Sequence, residues 1–201
     1  MLPRVAVDEQ SQKAFHREIA VTRNFLHPNI IRFFDDGFVN NMFYLVLEYV
    51  AGGDLQALTK NAGGKVSYKE AVPLMLQALK GLAYAHEQGY VHRDIKPQNI
   101  LLDSQDGKRV AKVSDLGLAK NFERAGLSGF TATGAAGGTP AYMPKEQIID
   151  FKRARPSSDV FSMGATFYNM LTGAYVYNFE KYDEAMIAIL EGDVCPIAER
   201  D

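Results

Sequence analysis

The chain has 201 residues, of which 47% are hydrophobic and 23% are charged, and its formal net charge is -2. This length suits one domain or one domain in two lobes, and the composition is that of an ordinary folded protein. The near-neutral charge gives no general attraction to nucleic acid, so we expect no nucleic-acid partner. The single cysteine, Cys195, excludes an internal disulfide and fits a cytoplasmic location. We expect no membrane segment in this chain and no signal peptide.

The first quarter of the chain predicts one helix and two strands. Residues 8–26 carry apolar side chains at helical spacing, and "HPNI" ends that helix. The segments "IIRFFDDGFV" and "MFYLVLEYV" predict two strands joined at Asn40 and Asn41, which tolerate the positive φ of a tight hairpin. Gly52 and Gly53 then predict a flexible connection, and the next residue, Asp54, is the predicted N-cap of a short helix.

The longest predicted helix is "SYKEAVPLMLQALKGLAYAHEQG". Ser67 and Glu70 match the capping-box pattern, and Gly89 stands where a C-terminal cap is expected. Pro73 should kink the first turns or delay the start of the helix. The predicted buried face consists of Val72, Met75, Leu76, Leu79, Leu82, Ala83 and His86.

The second half of the chain predicts a hairpin, a loop and two helices. The strands "NILLD" and "VAKVSD" flank the turn "SQDGKR", and residues 119–140, which lack periodicity, predict a long loop. The segment "SSDVFSMGATFYNMLTG" predicts a helix that is capped by Ser157 or Ser158 and ends at Gly173, and "YDEAMIAILEG" predicts a shorter one. Strands come early and helices come late, so we predict an α+β fold with two unequal parts.

The stretch "YVHRDIKPQNILLD" places several charged side chains between two apolar runs. Asp94 and Asn99 precede the first strand of the predicted hairpin, and Asp115 ends the second strand. Because a hairpin brings these two ends together, Asn99 and Asp115 can converge with Asp94 beside them. Two oxygen ligands suit Mg²⁺, the carboxylate of Asp94 is free to act on a substrate proton, and Lys96 can hold a phosphate. The pattern therefore predicts a phosphoryl-transfer site.

The segment "HRDIKPQN" followed by "SDLG" resembles the catalytic loop and metal-binding motif of eukaryotic-type Ser/Thr protein kinases. The resemblance implies that Asp94 is the catalytic base and that Lys96 steadies the transferred phosphoryl group. It implies that Asn99 and Asp115 are the Mg²⁺ ligands. Leu116 stands where the family normally has Phe. ATP and Mg²⁺ are the implied cofactors, and protein Ser/Thr hydroxyls are the implied acceptors. The segment "PKEQ" is similar to bacterial members.

The resemblance extends into the N-terminal part of the chain. The segment "FHREI" places Glu18 where the family has the helix glutamate that pairs with the ATP-binding lysine. The segment "LVLEYVAGGDL" resembles the hinge. There the family implies that Leu47 is the gatekeeper, that Glu48 and Val50 bind adenine through their backbone, and that Asp54 reaches the ribose.

The segment "GTPAYMPKEQ" resembles the end of the activation segment, where Thr139 helps to align the substrate. In the family, the arginine at the position of Arg93 often receives a phosphate from the activation loop, and Thr131 and Thr133 are candidate acceptors. Structural roles are expected for His92, for Glu146 and for Asp159, the family's brace of the catalytic loop.

The sequence also departs from the family. It contains no Gly-rich loop, Asp8 follows "VAV" where the ATP-binding lysine is expected, and Glu146 lacks the arginine with which the family pairs it. We therefore expect a kinase domain truncated at both ends. Residues 1–50 would be a partial N-terminal lobe with the hinge, and residues 51–201 a C-terminal lobe without its last helices. Weak or no activity is expected of this chain alone.

Two alternatives remain open from the sequence. The first is a catalytically impaired, pseudokinase-like module that binds nucleotide or protein, because the Gly-rich loop and the lysine are absent. The second is a small-molecule phosphotransferase on a related fold, which the segment "GTPAYM" and the threonine-bearing loop before it disfavour.

Overall fold

The computed structural model describes residues 19, 21–39, 42–116, 140–150, 153–181 and 185–200. The strands are β1 (Phe33–Val39), β2 (Met42–Leu47), β3 (Ile100–Gln105) and β4 (Lys108–Val113), and the helices are α1 (Leu55–Asn61), α2 (Tyr68–Glu87), α3 (Lys145–Ile149), α4 (Pro156–Thr172) and α5 (Ala185–Glu191). The predicted α+β class is confirmed. None of the helices in the described ranges is long and apolar enough to cross a membrane.

The first hairpin pairs β1 with β2 in antiparallel register, from Phe33 opposite Leu47 to Val39 opposite Met42. Its predicted turn at residues 40–41 lies outside the described residues. Most of the helix predicted over residues 8–26 also lies outside them, but Ile19 is helical and buried.

The second hairpin, β3 with β4, is tighter than the sequence suggested. Ile100 pairs with Val113 and Gln105 with Lys108, so the turn has only two central residues. These are Asp106, with φ of 50°, and Gly107, with φ of 74°. An Asp-Gly pair with positive φ at both positions matches the twist of the flanking strands.

Helix α2 has the predicted ends, but its predicted capping box and the delayed start expected from Pro73 are wrong. Ser67 occupies the N-cap position without a side-chain capping bond, and Glu70 instead contacts Arg109. Pro73 lies inside the helix, which continues through it. The packing of α2 outweighs the loss of one backbone hydrogen bond. Gly89 follows the helix with φ of 73°, as expected of a C-terminal cap.

The predicted buried face of α2 is also wrong in part. Val72, Leu76 and Leu79 are exposed by 38%, 54% and 37%. The residues that are buried are mostly small: Ala71, Leu74, Met75, Ala78, Gly81, Leu82 and Ala85. A Cβ added at Gly81 would lie 2.4 Å from the backbone oxygen of Asn29. The small residues therefore lie on the face of α2 that other backbone segments of the protein approach most closely. This close approach decides the orientation of the helix.

Helix α4 begins earlier than predicted, because Pro156 occupies its first position and Arg155 is its N-cap. Ser158 is the third helical residue, and its Oγ accepts a hydrogen bond from the Arg155 N–H at 3.2 Å. Gly173 ends the helix with φ of 71°, as predicted. The main core joins α1, α2, the second hairpin and α4 through Leu55, Leu74, Leu82, Ile95, Ile100, Val113, Met163 and Met170.

Candidate active site

The segment between α2 and β3 carries the candidate catalytic side chains, and His92 ties it to the end of β4. His92 is 3% exposed. Its Nδ1 accepts from the Asp94 N–H at 3.2 Å, and its Nε2 lies 2.8 Å from the Ser114 backbone oxygen. A neutral imidazole with its proton on Nε2 satisfies both contacts, which assigns this tautomer from the hydrogen-bond network.

Asp159, on α4, is fully buried and holds the backbone of the same segment. It accepts from the N–H groups of His92 and Arg93, both at 2.8 Å, and its Oδ2 lies 2.8 Å from His86 Nε2. Arg93 has φ of 70°, a conformation that is costly outside glycine. Its carbonyl accepts a hydrogen bond from the Gln147 side chain. Contacts from both sides therefore hold this residue next to Asp94.

Asp94, Lys96 and Asn99 form one hydrogen-bonded group. Lys96 Nζ donates to Asp94 Oδ2 at 2.8 Å. Asn99 Nδ2 donates to the same oxygen at 3.0 Å and to the Asp94 carbonyl at 2.7 Å. The Asp94 side chain is 24% exposed, whereas Asn99 is buried. The group thus presents one oriented carboxylate to solvent from a rigid support.

The second hairpin brings Asn99 and Asp115 to the same end, because the Ser114 N–H donates to the Asn99 carbonyl at 2.9 Å. Burial raises the pKa of the Asp115 carboxyl, the charge of Asp94 raises it further, and Lys96 opposes the rise. A cation would relieve this cost, and the amide and carboxylate oxygens of the pair are ligands that suit Mg²⁺. Within the described residues no three His, Cys, Asp or Glu side chains form a metal-binding group. A cation here would therefore also need other oxygen ligands.

Strand β2 ends at Leu47, the predicted gatekeeper, which is 37% exposed. Leu47 lines a small, mostly apolar pocket with Ile19, Thr22, Ile31, Phe33, Leu45, Ser114, Asp115 and Leu116. The pocket therefore lies between the end of β2 and residues 114–116, which follow β4. Leu116 is half-buried and packs against the core, so the apolar character of its position is kept.

Glu48, directly after β2, is held by three hydrogen bonds. Its N–H donates to the Arg32 carbonyl at 2.8 Å, and its Oε2 accepts from the Arg32 N–H at 3.0 Å. Its Oε1 accepts from Lys112 Nζ at 2.8 Å. Lys112 was not among the predicted site residues. Its signal in the sequence is a lysine inside the predicted strand "VAKVSD", since a lysine in a buried strand requires a partner for its charge.

Further along, Val50 is half-buried in the connection to α1, and Asp54 caps α1 as predicted. Asp54 Oδ1 accepts from the Ala57 N–H at 2.7 Å, so the cap occupies one of the two carboxylate oxygens.

Glu146 has a hydrogen-bond partner other than the arginine with which the family pairs it. It is exposed, and its Oε1 accepts from Ser158 Oγ at 2.9 Å. Four predicted site residues lie outside the described part of the chain: Glu18, Thr131, Thr133 and Thr139.

Residues 1–198 match the model of the protein kinase domain family. The chain is 35% identical over 190 residues to the probable serine/threonine-protein kinase pknA2 of Bifidobacterium longum, which covers 94% of this chain and 24% of that protein. It is 36% identical over 191 residues to CBL-interacting protein kinase 21 of Oryza sativa subsp. japonica, covering 93% of this chain and 34% of that protein.

Among solved structures, the chain is similar to Rad53 1-466 in complex with AMP-PNP, with a TM-score of 0.71 and 30% identity. That match covers 91% of this chain and 44% of the Rad53 chain. The chain therefore spans less than half the length of each of these relatives.

Proposed function

Because this chain belongs to the protein kinase domain family, we propose that it transfers the γ-phosphate of ATP to Ser or Thr hydroxyls of proteins. The observation that carries the proposal is the hydrogen-bonded group of Asp94, Lys96 and Asn99 next to the buried carboxyl of Asp115. Relatives named as serine/threonine kinases support the choice of acceptor. The single cysteine of this chain supports a cytoplasmic location, which is part of the same proposal.

In this proposal Asp94 accepts the proton of the substrate hydroxyl. Lys96 and Asn99 both bond its Oδ2, so Oδ1 is the oxygen that we assign to the substrate. The two donors hold the carboxylate in one orientation, which general-base catalysis requires. When the substrate arrives, Lys96 can move its charge towards the transferred phosphoryl group.

The nucleotide is proposed to lie between the end of β2 and the end of β4. The backbone of Glu48 and Val50 would face adenine beside Leu47, and Asp54 would face the ribose. Asn99 and Asp115 would hold Mg²⁺, which supplies positive charge to the ATP phosphates when bound. The proposal retains Glu18 as the partner of an ATP-binding lysine, Thr139 in substrate alignment, and Thr131 or Thr133 as a phosphate acceptor for Arg93. It also retains residue 50 as the boundary between two lobes.

The test measures transfer of labelled phosphate from ATP by the whole protein that contains this chain, to mixed protein acceptors and to small hydroxyl compounds. We expect labelled Ser and Thr in protein. Asp94→Asn should lower kcat by roughly 10²- to 10⁴-fold, since it removes the general base. The matched control is Asp103→Asn, because Asp103 bonds only its near neighbours Ser104 and Gln105 in the described residues. Full activity of the Asp94 variant, or transfer to small acceptors alone, would refute the proposal.

A further inference from the structure

Lys112, in β4, is a charged residue that the fold buries. The whole residue is 5% exposed, and its neighbours Ala111 and Val113 are fully buried. Its ammonium lies 2.8 Å from Glu48 Oε1, and the two side chains are 7% and 25% exposed. A buried ammonium carries a desolvation cost that a close carboxylate offsets, so this pair differs from an exposed ion pair.

The pair connects parts of the chain that are far apart, because the two residues are separated by 64 positions in sequence. Glu48 follows β2 at the point where the chain leaves the first hairpin, and it is also bonded in both directions to Arg32. Lys112 is three residues before Asp115. One ammonium thus links the segment proposed to bind adenine to the strand that precedes Asp115, a proposed Mg²⁺ ligand.

We propose that Lys112 is a positioning residue for the nucleotide. It holds the Glu48 carboxylate, and through it the backbone at residue 48, at a set distance from β4. Adenine and the phosphates are then bound at a matched separation. This inference rests on the proposed function, because it assumes that the segment after β2 binds the base. Lys112 itself contacts Glu48 and does not need to contact ATP.

The experiment uses the whole protein and two probes, ATP and inorganic tripolyphosphate, which lacks the base. Lys112→Met removes the charge and keeps an unbranched side chain that is one atom shorter, and Lys112→Arg keeps the charge. The control is Arg109→Met, because Arg109 lies in the same strand and pairs with Glu70 at an exposed position. The double variant Glu48→Gln with Lys112→Met has no unpaired buried charge, and it serves if the single methionine variant fails to fold.

For Lys112→Met, and for the double variant, we expect ATP to bind about 5- to 10-fold more weakly, with a matching rise in KM for ATP. Tripolyphosphate affinity and kcat should change by less than about twofold, because the phosphate site and the proposed catalytic base, Asp94, are untouched. Lys112→Arg and Arg109→Met should resemble the wild type. This separation of KM from kcat, and of ATP from tripolyphosphate, is not expected of a residue that only stabilises the fold.

Three results would overturn the inference: unchanged ATP affinity, an equal loss for ATP and tripolyphosphate, or a higher kcat with KM unchanged. The last would mean that the ion pair restrains the molecule and does not position the base. Wild-type protein that neither binds ATP nor transfers phosphate would refute the proposed function, and this inference with it. Wild-type activity combined with unaffected variants would refute the inference alone.

Discussion

Replacing Asp159 should destabilise the fold far more than replacing other carboxylates. Its carboxylate is buried and has three contacts at 2.8 Å, with the N–H groups of His92 and Arg93 and with His86 Nε2. Asp159→Ala removes the acceptor and leaves two backbone donors unsatisfied in the interior. Each unsatisfied donor costs about 1–3 kcal/mol, so we expect the two together to lower the free energy of unfolding by about 2–6 kcal/mol. Activity should fall as well, because the strained backbone at Arg93 loses its support.

The free energy of unfolding can be measured by urea titration. The chain contains no tryptophan, so far-ultraviolet circular dichroism is the suitable signal. Asp159→Asn keeps one acceptor oxygen and should cost less than the alanine variant. Asp103→Asn should stay within about 0.5 kcal/mol of the wild type, because its contacts are local. If Asp159→Ala unfolds within about 1 kcal/mol of wild type, the assigned bonds do not hold the segment, and the reasoning is wrong.

Two further predictions concern the region where α2 packs against residues 27–29, which precede β1. Gly81→Ala should lower the free energy of unfolding by about 1–3 kcal/mol, since its Cβ would lie 2.4 Å from the Asn29 carbonyl oxygen. Gly164→Ala, whose Cβ would meet nothing within 4 Å, should instead stabilise α4 by about 0.5–1 kcal/mol. Equal effects in urea unfolding would contradict this close packing. Burial, helped by the charge of Lys80, lowers the pKa of His27 below its ordinary 6.5, and His27 Nδ1 accepts from the Asn29 N–H. The unfolded chain therefore binds the proton more readily, and stability present above pH 6.5 should decline as the pH falls below it. His27→Asn should flatten this part of the stability profile, and an unchanged slope would assign the decline to another group.

Local sequence signals were sufficient to predict the type of most helices and strands and the residues of the candidate catalytic group. The turn at Asp106 and Gly107 and the caps at Asp54, Gly89 and Gly173 depend on short stretches of backbone, so nearby residues determine them. The order of Asp94, Asn99 and Asp115 around one predicted hairpin was enough to expect their convergence.

The tertiary structure decided what depends on close approach and on residues distant in sequence. Helical spacing states which residues share a face of α2, but the backbone of Asn29 selects the face containing Gly81. The partners of Asp159 and of Lys112 lie more than sixty positions away, so no local pattern could identify them. The sequence by itself therefore determined the candidate reactive groups and the turns and caps next to them. The contacts that fix these groups relative to one another were decided only by packing, because buried charges take whichever partner the folded chain brings within bonding distance.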